Sequence, residues 1–253
     1  DIRTLLNWKN YSTVDTQNAR FCNLFNGCTA LTSAPDLPAT TLANACYYGM
    51  FINCTSLTSA PKLKATTLAD KCYNRMFFNC TSLTSAPELK ATTLATECCY
   101  DMFYGCTSLA SAPNLLATKL ANYCYWQMFY GCTSLTSAPE LKATTLATEC
   151  YYKMFNGCTS LTSAPELKAT TLAPNCYSGM FRDCTKLSTV TMLTPSDQIT
   201  NRRCYNWLYN AGTDGTVSSR TLIVTDEAAY NALVNTGYLP AIWKKGQCTV
   251  EYY

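Results

Sequence analysis

Apolar and polar positions recur in the same order every 26 residues along most of the chain. The shared text of one unit is L-A-x-x-C-Y-x-x-M-F-x-x-C-T-S-L-T-S-A-P-x-L-K-A-T-T. Such units begin at Leu42, Leu68, Leu94, Leu120, Leu146 and Leu172, and a degenerate earlier unit ends near Thr41. A fixed period of this length is the signature of a solenoid, in which each unit buries its apolar side against its neighbours. The pattern therefore predicts a stack of about seven units.

The first half of each unit has the pattern of a helix and the second half that of a strand. Leu120, Cys124, Met128 and Cys132 recur every four positions, which is typical of an apolar helix face. Gly, Asn or Asp precedes the second Cys of the unit, and these types tolerate the left-handed conformation that ends a helix. The text C-T-S-L-T-S-A-P then predicts a short strand, ended by a proline that cannot donate to a ladder.

Residues 128–155 read MFYGCTSLTSAPELKATTLATECYYKMF, which resembles the BspA-like class of leucine-rich repeats found on bacterial surface proteins, especially those of gut Bacteroidetes. The resemblance covers residues 20 to 190. It implies an α/β fold, namely a right-handed leucine-rich-repeat solenoid with a short strand and a short helix per coil. It also implies a secreted or cell-surface location and a role in adhesion. Ala-Pro replaces the usual Ile-x-Ile strand core, so we expect a very short strand.

The repeat pattern divides the chain into three regions. Residues 1–20 are expected to form an N-terminal cap or to join a missing N-terminal domain, residues 21–190 the solenoid, and residues 191–253 a C-terminal capping region. In the last region the pattern predicts a strand, a helix begun by Asp226, a loop and a final strand. This region also contains a weakly matching copy of the repeat, in which Leu208 and Tyr209 take the Met-Phe positions.

Thirteen of the 17 cysteines fall into two series with a 26-residue step. The two cysteines of one predicted helix would lie about 12 Å apart, beyond the reach of a disulfide. Disulfides between stacked neighbours and free thiols buried in columns both remain possible, and the small, apolar character of cysteine favours the free thiols. A metal site is disfavoured, because the chain has no histidine and no C-x-x-C pair.

Charge and motif content argue against several functions. The net charge of +3 contains no long basic run that would nominate nucleic acid as a partner. Without histidine the common nucleophile–base dyads cannot form, and no phosphate loop or dinucleotide fingerprint is present. No window has the roughly 18 apolar residues of a membrane span, and the start at Asp1 is read as a mature or trimmed soluble segment. We expect no enzyme activity, no cofactor and no direct membrane insertion.

Differences between the units concentrate on the side of the predicted helix that faces away from the core. Equivalent positions of successive units form a column along the predicted stack, and two such outward columns are rich in aromatic residues. The candidate binding residues are Tyr48, Tyr100, Tyr104, Trp126, Tyr130 and Tyr152. An exposed aromatic stripe would suit sugar rings or a protein partner. Drift of unconstrained positions is the alternative explanation. Rows of Thr and Ser on the strand side, such as Thr84 and Ser85, form a second candidate surface.

Two function hypotheses follow from this pattern. The first is an adhesin-like recognition module outside the cell or on a bacterial surface, which binds a host or bacterial protein or glycan. The second is a structural or spacer subunit of a larger surface, fimbrial or phage-fibre assembly.

Overall fold

The computed structural model of the chain describes Lys9, residues 20–200 and residues 202–253. Apart from Lys9 and Arg20, the predicted N-terminal cap lies outside the described residues. Within them, regular elements occur near the C-terminus: β1 (Thr189–Met192), β2 (Thr221–Val224), α1 (Glu227–Asn235) and β3 (Thr249–Tyr252). Two short 3-10 helices span Ser196–Gln198 and Ala241–Trp243. The repeat units themselves are built differently.

Equivalent residues of consecutive units lie beside one another. Parallel bridges join Ser33 to Ser59, Leu37 to Leu63, and Thr41 to Thr67, each pair 26 residues apart. Corresponding bridges recur further along the chain, among them those joining Ser85 to Ser111 and Leu89 to Leu115. The 26-residue period of the sequence is therefore the period with which the units stack.

The predicted helix in each unit is wrong, because this segment is a run of consecutive turns. The runs span 44–53, 70–79, 96–105, 122–131, 148–157 and 174–183. Their amides alternate between two directions: Ile52 N donates to Gly49 O at 3.1 Å within the turn, whereas Phe51 N donates to Met76 O of the next unit at 2.9 Å. An α-helix would direct its amides to the residue four positions earlier. Here about half of them tie one unit to the next instead.

A left-handed residue at every fourth position produces these turn runs. Such a residue interrupts an α-helix, and outside glycine it costs roughly 1–2 kcal/mol. The hydrogen bonds between units and the burial of the apolar side chains offset that cost. Within these six runs the positions with positive φ are Ala45, Gly49, Asn53, Lys71, Arg75, Asn79, Glu97, Asp101, Gly105, Tyr123, Gln127, Gly131, Glu149, Lys153, Gly157, Asn175, Gly179 and Asp183.

The predicted strand of each unit is reduced in the described repeats to isolated one-residue bridges, except where the stack meets the C-terminal region. There β1 continues the ladder through Ser163–Thr189 and Leu167–Met192 bridges. A three-stranded parallel sheet follows in the order β1-β2-β3. The expected domain boundary at residue 190 therefore falls inside a strand that belongs to both regions.

The predicted order of elements after residue 220 is confirmed. Strand β2 leads into α1, whose first turn is capped by Asp226, since its Oδ1 accepts from Ala229 N at 2.7 Å. Strand β3 is the last element. The expected place of Tyr209 is wrong, because Trp207 and Leu208 are the fully buried pair and Tyr209 is half exposed. One residue more than the usual spacing separates this pair from Met180 and Phe181.

Columns of identical side chains fill the core. Phenylalanine rings from Phe25 to Phe181 stack along the units with centroids 5.5–5.7 Å apart. A tyrosine column runs beside it and is interrupted by Cys99, which stands between Tyr73 and Tyr125. Each ring covers the next, so a unit in the middle of the stack exposes little apolar surface.

The two cysteine series lie in this core as predicted, except Cys28, which is exposed. All 17 cysteines are free thiols in the structure. One series consists of Cys28, Cys54, Cys80, Cys106, Cys132, Cys158 and Cys184. From Cys54 onward each of its thiols also donates to a phenylalanine carbonyl of the preceding unit, as Cys80 Sγ does to Phe51 O at 3.0 Å. Burial raises the pKa of Cys80 to about 12, so the thiol stays protonated and can donate.

Candidate functional site

Two stacks of half-buried aromatic rings run along the outer side of the turn runs. The first, the Tyr–Trp stack, consists of Tyr100, Trp126 and Tyr152, with centroids 4.3 and 5.1 Å apart. The second, the Phe–Tyr stack, consists of Phe78, Tyr104 and Tyr130, with both spacings at 4.6 Å. Interplanar angles of 3–13° make both stacks nearly parallel. Five of the six predicted binding residues belong to them.

The prediction that the outward rings expose their faces along a continuous stripe is wrong. Equivalent rings of neighbouring units lie face to face, so each ring inside a stack has both faces covered and presents only its edge. The last ring of the Tyr–Trp stack is also covered, because Lys153 Nζ lies 5.1 Å from the centroid of Tyr152. A ligand that needs a ring face must therefore bind where a stack is interrupted.

Such an interruption lies between Tyr48 and Tyr100. The column of the Tyr–Trp stack contains Tyr48 in the first unit and Asn74 in the second, so no ring occupies the level between the two tyrosines. A groove of about 360 Å³ opens here and reaches Trp126. This volume lies at the lower end of the roughly 300–1,000 Å³ of small-ligand sites.

Charged side chains of both signs line the groove. Lys71 Nζ lies 3.6 Å from Glu97 Oε1, and the carboxylate of Glu149 accepts from Trp126 Nε1 at 3.1 Å. Asn175 Nδ2 donates to the other oxygen of Glu149 at 3.2 Å. The indole ring is thus held in place at its nitrogen as well as by its stacked neighbours. The groove combines donors and acceptors without a dominant charge.

Arg75 forms one side of the groove together with a buried carboxylate. Its Nε donates to Asp101 Oδ2 at 3.1 Å, and its guanidinium carbon lies 5.8 Å from the Tyr100 centroid and 5.9 Å from that of Phe78. Burial raises the pKa of Asp101 to about 6, although Arg75 opposes the shift. Arg75 therefore bridges the two aromatic stacks from a fixed position.

Sequence reasoning named Tyr48, Tyr100 and Trp126 but missed the polar residues of this groove. Lys71, Asn74, Arg75 and Glu97 are scattered in sequence and belong to three different columns. One signal could have found the groove: Asn74 is the residue that breaks a run of aromatic residues in its column. A gap in a ladder of stacked rings leaves ring faces uncovered.

The Thr/Ser rows and the charged residues of the repeat lie on the surface outside the groove. Thr84 and Ser85 are exposed, as expected for the Thr/Ser rows, and Thr84 Oγ1 donates to Thr58 O at 3.5 Å. The exposed carboxylate of Glu140 accepts from Lys168 of the next unit at 2.8 Å. Among the described residues no group of three or more His, Cys, Asp or Glu side chains is placed to hold a metal ion.

Comparison with known proteins gives no match, since no protein-family model fits the chain and no curated protein is significantly similar to it. Across the part of the chain that the structure describes, no helix has the length and apolar character needed to span a membrane.

Proposed function

We propose that the chain is a non-enzymatic recognition module that binds a glycan or a protein outside the cell. In this proposal it belongs to the BspA-like leucine-rich repeats and forms a right-handed solenoid, built of turn runs and isolated bridges, on a bacterial surface or in secreted form. Support comes from the 26-residue stacking and from the sequence resemblance. Burial of most thiols and the raised pKa of those such as Cys80 also suit an oxidising exterior, because protonated, buried thiols react slowly.

The observation that carries the proposal is the groove at the interrupted aromatic column. Recognition sites combine aromatic surface with a few fixed polar groups, and this groove offers Tyr48, Tyr100 and Trp126 together with the carboxylates of Glu97 and Glu149. Its charges balance, and the whole chain carries only +3. A neutral ligand therefore fits better than nucleic acid, whose binding depends on concentrated positive charge.

An array of host glycans and extracellular matrix proteins tests this function with the purified chain. Trp126→Ala and Tyr100→Ala are expected to abolish most of the signal for any ligand that the wild type binds. Tyr209→Ala is the matched control, since Tyr209 is exposed and lies outside both stacks. Circular dichroism must show that all three variants keep the wild-type fold.

The array also separates the two function hypotheses. Binding that survives both groove substitutions would exclude the groove as the recognition site. If the wild type binds nothing on the array and purifies in a stable assembly with other surface proteins, the structural or spacer role replaces the recognition role.

A further inference from the structure

The guanidinium of Arg75 is held in a fixed position at the side of the groove. Its Nε donates to Asp101 Oδ2 at 3.1 Å, and the side chain of Asp101 is only 4% exposed. The guanidinium carbon lies over the Tyr100 ring, 5.8 Å from its centroid, where a cation is attracted to the ring. The buried ion pair and the ring contact together restrict a side chain that is otherwise flexible.

The outer end of this guanidinium has no protein partner. The Arg75 side chain is 42% exposed and lines the groove. Among the described residues, Asp101 alone accepts a hydrogen bond from this side chain, and it does so from Nε. The N–H groups of the two terminal nitrogens are therefore free to donate to a ligand in the groove. Because they form a planar fork, they suit two oxygen atoms placed side by side.

The positive charge of Arg75 is already compensated by the protein. Burial raises the pKa of Asp101 to about 6, so near neutral pH its carboxylate is mostly ionised. In the same groove, Lys71 Nζ lies 3.6 Å from Glu97 Oε1. An anionic ligand would meet these ion pairs rather than an unpaired cation, so its loss of hydration would not be offset. Neutral oxygen atoms are therefore the better acceptors for Arg75.

The groove also favours a ligand whose oxygen atoms donate as well as accept. Glu97 and Glu149 line it with carboxylates, which are acceptors. A peptide carbonyl oxygen only accepts, whereas a hydroxyl group accepts and donates at once. Two hydroxyl groups on neighbouring carbons of a sugar ring offer adjacent oxygens to Arg75 and hydrogens to a carboxylate. Trp126 lines the same groove, where it can contact the C–H groups of the sugar.

We propose that the terminal nitrogens of Arg75 bind a pair of hydroxyl oxygens on neighbouring carbons of one neutral sugar residue in a glycan. The proposal rests on the recognition function proposed above. It names the group of the ligand that is recognised and the residue that selects it.

Isothermal titration calorimetry of the full chain with lactose, maltose and mannobiose tests this assignment. The wild type is expected to bind at least one of these disaccharides. Arg75→Lys keeps the charge but loses the fork, and is expected to weaken that binding at least about tenfold. Equal melting temperatures of the wild type and the variant show that the fold is intact.

The matched control is Arg182→Lys, which is expected to bind like the wild type. Arg182 has the same kind of surroundings as Arg75, since its Nε donates to Asp183 Oδ2 at 3.3 Å and its guanidinium carbon lies 4.5 Å from the Tyr209 centroid. It does not line the groove.

Deoxy analogues of the bound disaccharide separate a direct contact from a structural role of Arg75. Loss of one hydroxyl group of the recognised pair is expected to weaken binding to the wild type about tenfold. The same loss should have little effect on binding to Arg75→Lys, because the two changes remove the same interaction. Equal effects of every deoxy analogue on both proteins would contradict a direct contact.

Other results would also overturn the assignment. They are unchanged affinity in Arg75→Lys, failure of the wild type to bind any of the three disaccharides, and Arg75-dependent binding of glucuronic acid that is tighter than that of glucose, which would indicate a carboxylate as the partner of Arg75. If array binding is lost in Trp126→Ala but unaffected by Arg75→Lys, the recognition function stands and the role of Arg75 alone is wrong.

Discussion

Raising the pH from 8 to 10 is expected to destabilise the protein strongly, because its core thiols must stay protonated. Cys80, Cys106, Cys132, Cys158 and Cys184 are each fully buried. Burial raises the pKa of all five above the ordinary value of 9.0, that of Cys80 to about 12. Since the pKa is higher in the folded state, the stabilisation is complete below pH 9 and is lost as the pH rises toward the folded-state value.

The magnitude follows from proton linkage. At pH 10 an unfolded thiol with a pKa of about 9 is mostly ionised, which favours unfolding by about 1.4 kcal/mol for each buried thiol. The five together reach about 7 kcal/mol, comparable with the roughly 5–15 kcal/mol by which domains are stable. Buried tyrosines such as Tyr125, whose pKa is also raised by burial, act in the same direction.

Urea unfolding followed by circular dichroism, at pH 8 and at pH 10 with a reductant present, measures this effect. The unfolding midpoint is expected to fall sharply between the two pH values. Cys80→Ala should reduce the loss by the contribution of one thiol, whereas Cys22→Ala should leave it unchanged, because Cys22 is exposed. An equal midpoint at both pH values would refute burial of the thiols.

Three further changes test the stack. Cys99 stands in the buried tyrosine column, so Cys99→Tyr is expected to keep or raise the melting temperature, whereas Cys98→Tyr, in the all-cysteine column, should cost about 1–3 kcal/mol through overpacking. Gly131 has φ 68°, and an added Cβ would make only an ordinary contact, 3.9 Å from Gly105 Cα. By urea unfolding, Gly131→Ala should therefore cost about 1–2 kcal/mol through its backbone conformation and Gly131→Asn less. Burial raises the pKa of Asp101 from 3.8 to about 6, so stability should fall by about 2 kcal/mol from pH 4 to pH 7, and urea midpoints of Asp101→Asn should lack this fall.

The repeat period and the C-terminal elements could be read from the sequence, but the backbone of the repeat could not. Leu120, Cys124, Met128 and Cys132 are spaced by four residues without exception. An α-helix turns once in 3.6 residues, so three such steps would rotate the apolar face by about 120°. A turn with a left-handed residue every fourth position keeps these side chains aligned. The strict spacing of four was therefore the signal against a helix.

The sequence predicted some residues of the candidate site but not the contacts between them. Column analysis identified Trp126 and Tyr100 as outward aromatic residues, but it treated ring faces as free. Stacking of adjacent units covers those faces, and this follows only from the contact between units. The sequence showed Asn74 only as a non-aromatic residue in its column, whereas in the structure its buried carboxamide lines the groove.

A crystal structure of the chain with the glycan that binds most strongly on the array tests the central claim most directly. The account predicts that the glycan lies in the groove lined by Tyr48, Tyr100 and Trp126. A glycan bound along the exposed Thr84 and Ser85 rows, with the groove empty, would contradict it.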